Sequence, residues 1–397
     1  MRISTAGLYQ QSLGALLKRQ SDLAKTQQEL TTGNKLTRAA DDPSGAAQAQ
    51  RLDHAVAALD DYARSSDLVE NRLRLQEDAL TAAGDILNRA RELTVQANTA
   101  GVSDPDRKLI AAEVRHLRSS LLSVANRGDG NDRALFAGQR DGVVPFTDTA
   151  GVVSYAGDDG RNRVDIAPDV ALADTDPGSE IFLRPLTGDG VIRATAAAAN
   201  TGAGVLGETR VTNSTTWAMR DLRLQFTSAS TWQVVDSASL VVGSGTYVPG
   251  DAISAGGVTT RLSGTPAAGD SFTMAPAPRQ DVFATLEKLA DALEAPATTS
   301  TQRAGLSNAL AGTLSDLATA QDHFLGFRAS TGARLATIAS TAENRGAMDL
   351  SLRSTLSGLR DVDYAEASTR LSLQMTAIEA AQRTMVRVQS LSLFDKI

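Results

Sequence analysis

The last part of the chain carries a regular pattern of apolar positions. Residues 361–397 contain no proline and no glycine, and their apolar side chains recur at steps of three and four. Because an α-helix makes one turn every 3.6 residues, this spacing places those side chains on one face. The pattern predicts an amphipathic C-terminal helix. Its apolar face consists of Leu371, Met375, Ile378, Met385, Val388 and Leu391, with Ala381 in the same series.

A matching pattern lies near the start of the chain. It consists of Leu13, Leu16, Leu23 and Leu30, with Gln20 and Gln27 at intermediate positions. One such helix is marginal in water, because nucleation is costly and a single stripe has nothing to bury against. Each helix could pack on its own domain, or its apolar face could be the surface to which a partner binds. The likeness of the two ends favours the second reading, and we call these four leucines and the six C-terminal residues the assembly seam.

Long helices are predicted next to both ends. Asp42 followed by Pro43 is typical of a helix start, and leucines then recur at multiples of seven from Leu52 to Leu87. Ser66 and Gln76 are polar breaks in this seam. A further helix follows residue 104. Helical patterns return at residue 281 and near residue 300, and the second of these is expected to continue into the terminal stretch.

The middle of the chain has a different pattern. Apolar residues alternate with polar ones, as in Leu222/Leu224/Phe226 and Phe272/Met274, and turn residues separate the runs. Period two with Gly, Asp and Ser between the runs predicts strands joined by turns. Residues 155–160 are interpreted as a hairpin tip. Residues 194–204 could form a loop or a short helix, and the sequence does not decide between them.

These patterns predict an α+β fold, in which both chain ends form a long, coiled-coil-like helical bundle and a β-rich domain is inserted between them. The expected parts are an N-terminal amphipathic helix at 1–40, long helices at 41–140, the β-rich insert at 141–280, long helices at 281–360 and a C-terminal amphipathic helix at 361–397. The two terminal helices are expected to be mobile in the monomer. If the insert is a compact β domain whose entry and exit are close, the two helical ends must lie side by side.

Composition excludes several classes of function. The 397 residues carry a net charge of −7 and no long basic run, which argues against general nucleic-acid binding. There are no cysteines, so disulfides, thiolate metal sites and a cysteine nucleophile are excluded. His54, His116 and His323 stand singly on predicted helices as packed or solvated residues. We therefore expect no catalytic, cofactor or metal site, and no enzyme activity. The start of the chain lacks a secretory signal and no apolar run could cross a membrane, which alone would indicate a cytoplasmic protein.

Several short motifs resemble the bacterial flagellin family. They are LTTG at 30–33 and DDPSGAA at 41–47, and, similar to the hook–filament junction branch of that family, ALFAG at 134–138, YAGDDG at 155–160, DVDYAEA at 361–367 and LSLFDKI at 391–397. Each motif alone is weak, but their order and their spacing from both termini are specific. Residues 168–278 contribute nothing to the resemblance.

The resemblance implies a structural subunit of the flagellum. Such a subunit leaves the cell through the flagellar type III export system without a cleaved signal, and it is therefore extracellular. Its terminal helices would form the inner tube of a homo-oligomeric ring, with the insert facing outward. The expected neighbours are the preceding hook-associated protein on the hook side and flagellin on the filament side, with an export chaperone on the C-terminal helix before secretion. The alternatives are flagellin itself, a coiled-coil surface adhesin or secretion tip protein, and an enzyme housed in the insert.

Overall fold

The fold was analysed in a computed structural model. It describes the backbone of residues 5–99 and 101–394, and the exposure of side chains at position 7 and at positions 9–99 and 101–387. The helices are α1 Thr5–Thr32, α2 Pro43–Ala97, α3 Asp104–Ala125, α4 Gly178–Phe182, α5 Ser214–Trp217, α6 Val282–Glu294, α7 Ser300–Arg360 and α8 Tyr364–Phe394. The strands are β1 Phe146–Thr149, β2 Val152–Tyr155, β3 Arg163–Ala167, β4 Val170–Ala173, β5 Ile192–Ala196, β6 Ala203–Val211, β7 Leu222–Ser228, β8 Thr231–Asp236, β9 Val241–Thr246, β10 Ala252–Ala255, β11 Val258–Thr265 and β12 Ser271–Pro276. The α+β class is confirmed.

The chain divides into two compact units. The first contains residues 1–64 and 340–397, and thus both terminal helices. The second contains residues 65–339, including all twelve strands. Each unit is described by itself below.

Segments of five helices of the second unit, α2, α3, α4, α6 and α7, share one core. The predicted heptad leucines Leu73, Leu80 and Leu87 of α2 are all completely buried. α3 packs against α6, and α7 contributes Leu310, Leu317 and Phe324 to the same core. Local signals set the helix ends. Ser103 and Asp106 form a capping box at the start of α3, and Asp281 caps α6 by accepting the backbone N–H of Ala284.

Two small hairpins pack on the helices. β1 pairs with β2 and β3 pairs with β4, both antiparallel. Phe146 of β1 lies among Tyr155, Phe182 and Phe283, with ring centroids 5.0–5.7 Å apart, which places this hairpin in the helical core. The interpretation of residues 155–160 as a hairpin tip is wrong. They connect β2 to β3, which belong to different sheets. This turn is hydrogen-bonded to residues 136–139 and does not close a hairpin.

That turn brings two of the sequence motifs together. The hydroxyl of Tyr155 donates to the carbonyl oxygens of Phe136 and Asp158, each at 2.9 Å. The N–H of Asp158 donates to Ala137 O at 3.1 Å. Gly138 has φ +69°, and a Cβ there would lie 2.3 Å from Asp158 O, so the close approach requires glycine. Burial raises the pKa of Tyr155 to about 12.

Residues 192–276 form a β-rich part of the second unit with a hydrophobic core of its own, which we call the β domain. Its five-stranded sheet has the order β5-β12-β7-β8-β9, and its three-stranded sheet has the order β10-β11-β6. Every pairing is antiparallel. The predicted alternation is confirmed, because Leu222, Leu224, Phe226, Phe272 and Met274 all face the buried core between the sheets. Residues 194–204, which the sequence left open between loop and helix, contain the end of β5, a turn and the start of β6.

One predicted polar break in α2 is the centre of a buried hydrogen-bond network. Gln76 is completely buried. Its amide nitrogen donates to Asp176 Oδ2 at 3.0 Å and to Thr331 Oγ1 at 2.7 Å, and its amide oxygen accepts the N–H of Asp176 at 2.7 Å. Asp176 also binds Arg161 and Arg334. The side chain therefore joins α2, the segment before α4 and α7 inside the core.

Replacing Gln76 should destabilise this unit. We expect Gln76→Ala to lower the free energy of unfolding by about 1–3 kcal/mol, because buried donors and acceptors lose their partners. Urea unfolding followed by circular dichroism measures this change. Gln96→Ala, at an exposed position of the same helix, is the control and should be close to neutral. Equal stabilities of the two variants would contradict this account of Gln76.

Candidate assembly interface

The two ends of the chain meet where α1 ends and α8 begins. Asn34 and Asp361 form an antiparallel bridge. The N–H of Lys35 donates to Arg360 O at 2.8 Å, and the N–H of Val362 donates to Gly33 O at 2.9 Å. We call residues 33–35 and 360–362 the clasp. The expectation that the preceding helix continues into the terminal stretch is wrong, because the clasp separates α7 from α8.

The local sequence explains why α1 ends at the clasp and α8 begins there. Gly33 adopts φ +74°, and its N–H donates to Glu29 O at 2.9 Å, the left-handed ending that favours glycine after a helix. Asp363 begins α8, since its side chain accepts the backbone N–H of Ala365 at 2.9 Å and that of Glu366 at 3.1 Å. Lys35 Nζ also donates to Gly358 O at 2.6 Å.

Beyond the clasp, α1 packs against α8. The helices run antiparallel, because Asn34 lies beside Asp361 while the earlier Glu29 pairs with the later Arg370. The Glu29–Arg370 distance is 3.1 Å, and the Glu29 side chain is almost fully buried. Ala367 and Ile378 are the buried apolar residues of α8 within its described part, while Thr26 and Glu29 are buried on α1.

The structure places most of the assembly seam between these two helices. Ile378 is buried, and five further members are half-buried: Leu16, Leu23, Leu30, Leu371 and Met385. Leu13 and Met375 are exposed. On α8 the half-buried Gln374 and Ala381 continue the packed face, so this face passes beside Met375 rather than through it. Val388 and Leu391 lie outside the residues whose side chains are described.

Sequence reasoning missed two features of this pair. Thr26 and Glu29 are polar but lie on the packed face, and only the position of Arg370 on the other helix, 341 residues away, explains the burial of Glu29. In addition, both helices carry apolar side chains that remain largely exposed. They are Tyr9 and Leu17 on α1, and Tyr364, Leu373 and Val386 on α8. The spacing of the stripe alone could not reveal these, because they lie off it.

An open cavity of about 970 Å³ lies between α1 and α8. Its walls combine apolar side chains with charges of both signs. The residues from α1 are Ala15, Lys18, Arg19 and Asp22, and those from α8 include Glu366, Arg370 and Leu373. The two helices therefore do not fill the space between them along this stretch.

The link from α1 to α2 is held by carboxylates. Lys25 Nζ donates to Asp41 Oδ1 at 2.9 Å, and this hydrogen bond lowers the pKa of Asp41. Asp42 accepts the N–H of Gly45 at 2.9 Å, which lowers the pKa of Asp42 and starts α2 at Pro43 as predicted. Because both pKa values lie below normal, these contacts stabilise the fold at neutral pH and weaken as the pH falls through the lowered pKa values.

The described residues offer little chemistry besides packing. His54 and His116 are exposed, and His323 Nε2 lies 2.8 Å from Glu180 O. Over positions 5–99 and 101–394 no group of three or more acidic or histidine side chains is placed to hold a metal ion. Within the same positions, none of the helices combines the length and apolarity needed to cross a membrane.

Comparison with known proteins identifies matches at both helical ends. A family model described as the bacterial flagellin N-terminal helical region matches residues 3–141. A second, described as the bacterial flagellin C-terminal helical region, matches residues 316–395. Together the two models match more than half of the chain.

Curated relatives match over part of their length. Flagellar hook-associated protein 3 of Escherichia coli (strain K12) is 30% identical over 182 residues, which is 46% of this chain and 57% of the relative. The protein of the same name from Salmonella typhimurium is 31% identical with the same coverage. The match thus spans little more than half the length of these relatives.

Solved structures match over nearly their whole length. The crystal structure of Xanthomonas campestris FlgL in space group C2 is 42% identical with a TM-score of 0.73, covering 77% of this chain and 99% of that chain. The flagellar junction protein FlgL from Legionella pneumophila is 26% identical with a TM-score of 0.72, covering 79% of this chain and 100% of that chain.

Two glycine substitutions, one in α1 and one in the clasp, should have opposite effects on the tails. Gly33→Ala should loosen the clasp by about 1 kcal/mol or more, because alanine resists φ +74° and its Cβ would lie 3.1 Å from the Tyr364 hydroxyl. Gly14→Ala should stabilise α1 by roughly 0.5–1 kcal/mol, since nothing lies within 4 Å of that position. Limited proteolysis of the free protein reports both changes.

The expected order of cleavage is specific. Both tails of the natural protein should be cut before the β domain, Gly33→Ala should speed their loss, and Gly14→Ala should not. Tails as resistant as the β domain would contradict the prediction that they are mobile in the monomer. Equal rates for the two variants would contradict the role of Gly33.

Proposed function

Since this chain belongs to the bacterial flagellin family, in the branch of flagellar hook-associated protein 3, we propose that it is a structural subunit of the junction between hook and filament. In this proposal it assembles through α1 and α8. The identity of 42% with Xanthomonas campestris FlgL over 99% of that chain supports the junction branch. The name of the Legionella pneumophila relative, a flagellar junction protein, supports the same place in the flagellum.

The observation that carries the proposal is the apolar surface that remains on the paired tails. Leu17 is 56% exposed, Leu373 is 67% exposed and Val386 is 64% exposed. Burying one such side chain is worth roughly 1.5–3 kcal/mol, so a few of them can hold one copy to the next. Large exposed apolar patches on a protein are typical of interaction sites. The open cavity beside Leu373 gives a neighbouring helix room to pack.

The same surface explains the partners that we propose. Before assembly, an export chaperone would cover the apolar side of α8, which would otherwise promote aggregation. After export through the flagellar type III system, the tails would order against neighbouring copies in a ring. The preceding hook-associated protein would lie on the hook side of this ring and flagellin on the filament side. The protein would then be extracellular without a cleaved signal peptide.

Location on isolated flagella separates the junction from the filament. Flagellin is the alternative, because curated flagellins also match the helical ends, as in the 28% identity with flagellin of Listeria monocytogenes over 33% of this chain. Antibodies against the β domain, used for immunogold labelling, should mark one band at the hook–filament boundary. Labelling along the whole filament would indicate flagellin instead. Absence of label from flagella would contradict both the junction role and the flagellin alternative.

One matched pair of substitutions tests assembly through the tails. Leu373→Asp should abolish assembly and swimming, because it places a charge on the surface that α8 offers to its neighbours. Its effect on the free energy of unfolding should stay within about 0.5 kcal/mol, since the side chain is exposed. Leu68→Asp is the control, because Leu68 of α2 is 68% exposed but lies outside the tails. It should leave swimming intact.

Swimming assays and electron microscopy of the mutant cells measure both variants. Normal swimming with Leu373→Asp would contradict a role for this face of α8. Equal loss of swimming with Leu68→Asp would show that the effect is not specific to the tails.

A further inference from the structure

The β domain carries its own hydrophobic core. The buried residues of this core all lie between Ile192 and Met274, and they come from both sheets. The helical core of the same unit is a separate cluster, to which α7 contributes Leu310, Leu317 and Phe324. Two cores without shared members are typical of two bodies that can move separately.

Polar contacts hold the β domain against α7. Asn308 acts like a neighbouring strand, because its amide oxygen accepts the N–H of Leu206 at 2.7 Å and its amide nitrogen donates to Gly204 O at 2.9 Å. Both positions lie on β6, the edge strand of the three-stranded sheet. Asp316 pairs with Arg193 of β5. Thr301 Oγ1 of α7 also donates to Thr201 O at 2.7 Å. We call Asn308, Asp316 and Thr301 the latch.

The space beside the latch is not filled. A cavity of about 420 Å³ lies on one side of Asn308, between α7 and residues 193–204. A second cavity of about 460 Å³ lies on the other side, between α7 and residues 188–210. Both cavities are partly open to solvent, so the two surfaces are not close-packed beside Asn308. The β domain therefore meets α7 through a few directed hydrogen bonds rather than through a close-packed apolar surface.

The chain enters and leaves the β domain through one narrow ribbon. The N–H of Thr187 donates to Pro278 O at 3.0 Å, the N–H of Gln280 to Pro185 O at 3.0 Å, and the N–H of Ala277 to Val191 O at 2.9 Å. Gly188 and Gly190 in this ribbon have positive φ. Two paired segments with glycines can twist without breaking either core, which is what a hinge requires.

From these features we infer that the β domain is a separately folding body that swings about the ribbon, and that the latch on α7 sets its position. Losing the latch frees the domain from α7 but leaves its core folded. The inference does not depend on the proposed flagellar role, because its parts all lie within residues 65–339.

The natural absence of cysteine allows a direct test. Spin labels are placed on Leu240→Cys, at the exposed β8–β9 turn, and on Leu109→Cys, on the exposed side of α3. Pulsed electron spin resonance then gives the distribution of distances between the two labels. A second pair, Leu68→Cys with Leu109→Cys, reports on the helices alone.

The latch is removed by Asn308→Ala, Asp316→Ala and Thr301→Val together, and Asn71→Ala at an exposed position of α2 is the control. We expect the natural chain and the control to give one dominant distance for the pair at 240 and 109. Without the latch a second, longer distance should appear. The pair at 68 and 109 should not change.

Tryptophan fluorescence separates swinging from unfolding. Both tryptophans, Trp217 and Trp232, lie in the β domain, so the emission spectrum follows that domain alone. It should stay the same when the latch is removed. An unchanged distance distribution without the latch would overturn the inference. A longer distance together with the emission of unfolded protein would also overturn it, because the domain would then depend on α7 to fold.

Discussion

A pair of helices can bury only one stripe of each partner, and this limit governs the two ends of the chain. α1 and α8 pack along one face, where Ala367 and Ile378 are buried, but Leu17, Leu373 and Val386 remain exposed on other faces. Removing apolar area from water is the main favourable term in association. The clasp can fix the register of the pair, since its backbone hydrogen bonds are directional, yet it adds no apolar burial. Whatever covers the remaining surface must therefore come from outside the pair.

Periodicity predicted the parts of the structure in which burial depends on position along one element. Leu73, Leu80 and Leu87 had to share a face of α2, because seven residues make nearly two turns. The alternation at Leu222, Leu224 and Phe226 likewise had to place them on one side of a sheet. These predictions needed no knowledge of the partner element. The same is true of Asp42, whose capping role depends on the three residues after it.

The remaining features depend on partners that are distant in sequence. In the sequence, Gln76 interrupts a heptad pattern. Its burial is explained only by its hydrogen bonds to Asp176 and Thr331, which are 100 and 255 residues away. From the sequence alone, Glu29 would be predicted to be an exposed charge, whereas in the structure it is paired with Arg370. A polar side chain can enter a core only where its partners are already fixed by the rest of the fold. One sequence holds no sign of such pairs, whereas an apolar stripe is visible in it directly.

The chain uses apolar and polar contacts for different kinds of attachment. The helical core joins α2, α3, α6 and α7 through close-packed leucine and phenylalanine side chains, which cannot separate without exposing apolar surface. The β domain meets α7 through hydrogen bonds and an ion pair of Asn308, Asp316 and Thr301, beside two cavities. A hydrogen bond exchanged with water contributes only about 0.5–1.5 kcal/mol. Strength of attachment therefore differs sharply along α7. The helices share a close-packed core, while the β domain is attached to α7 through contacts that water can replace.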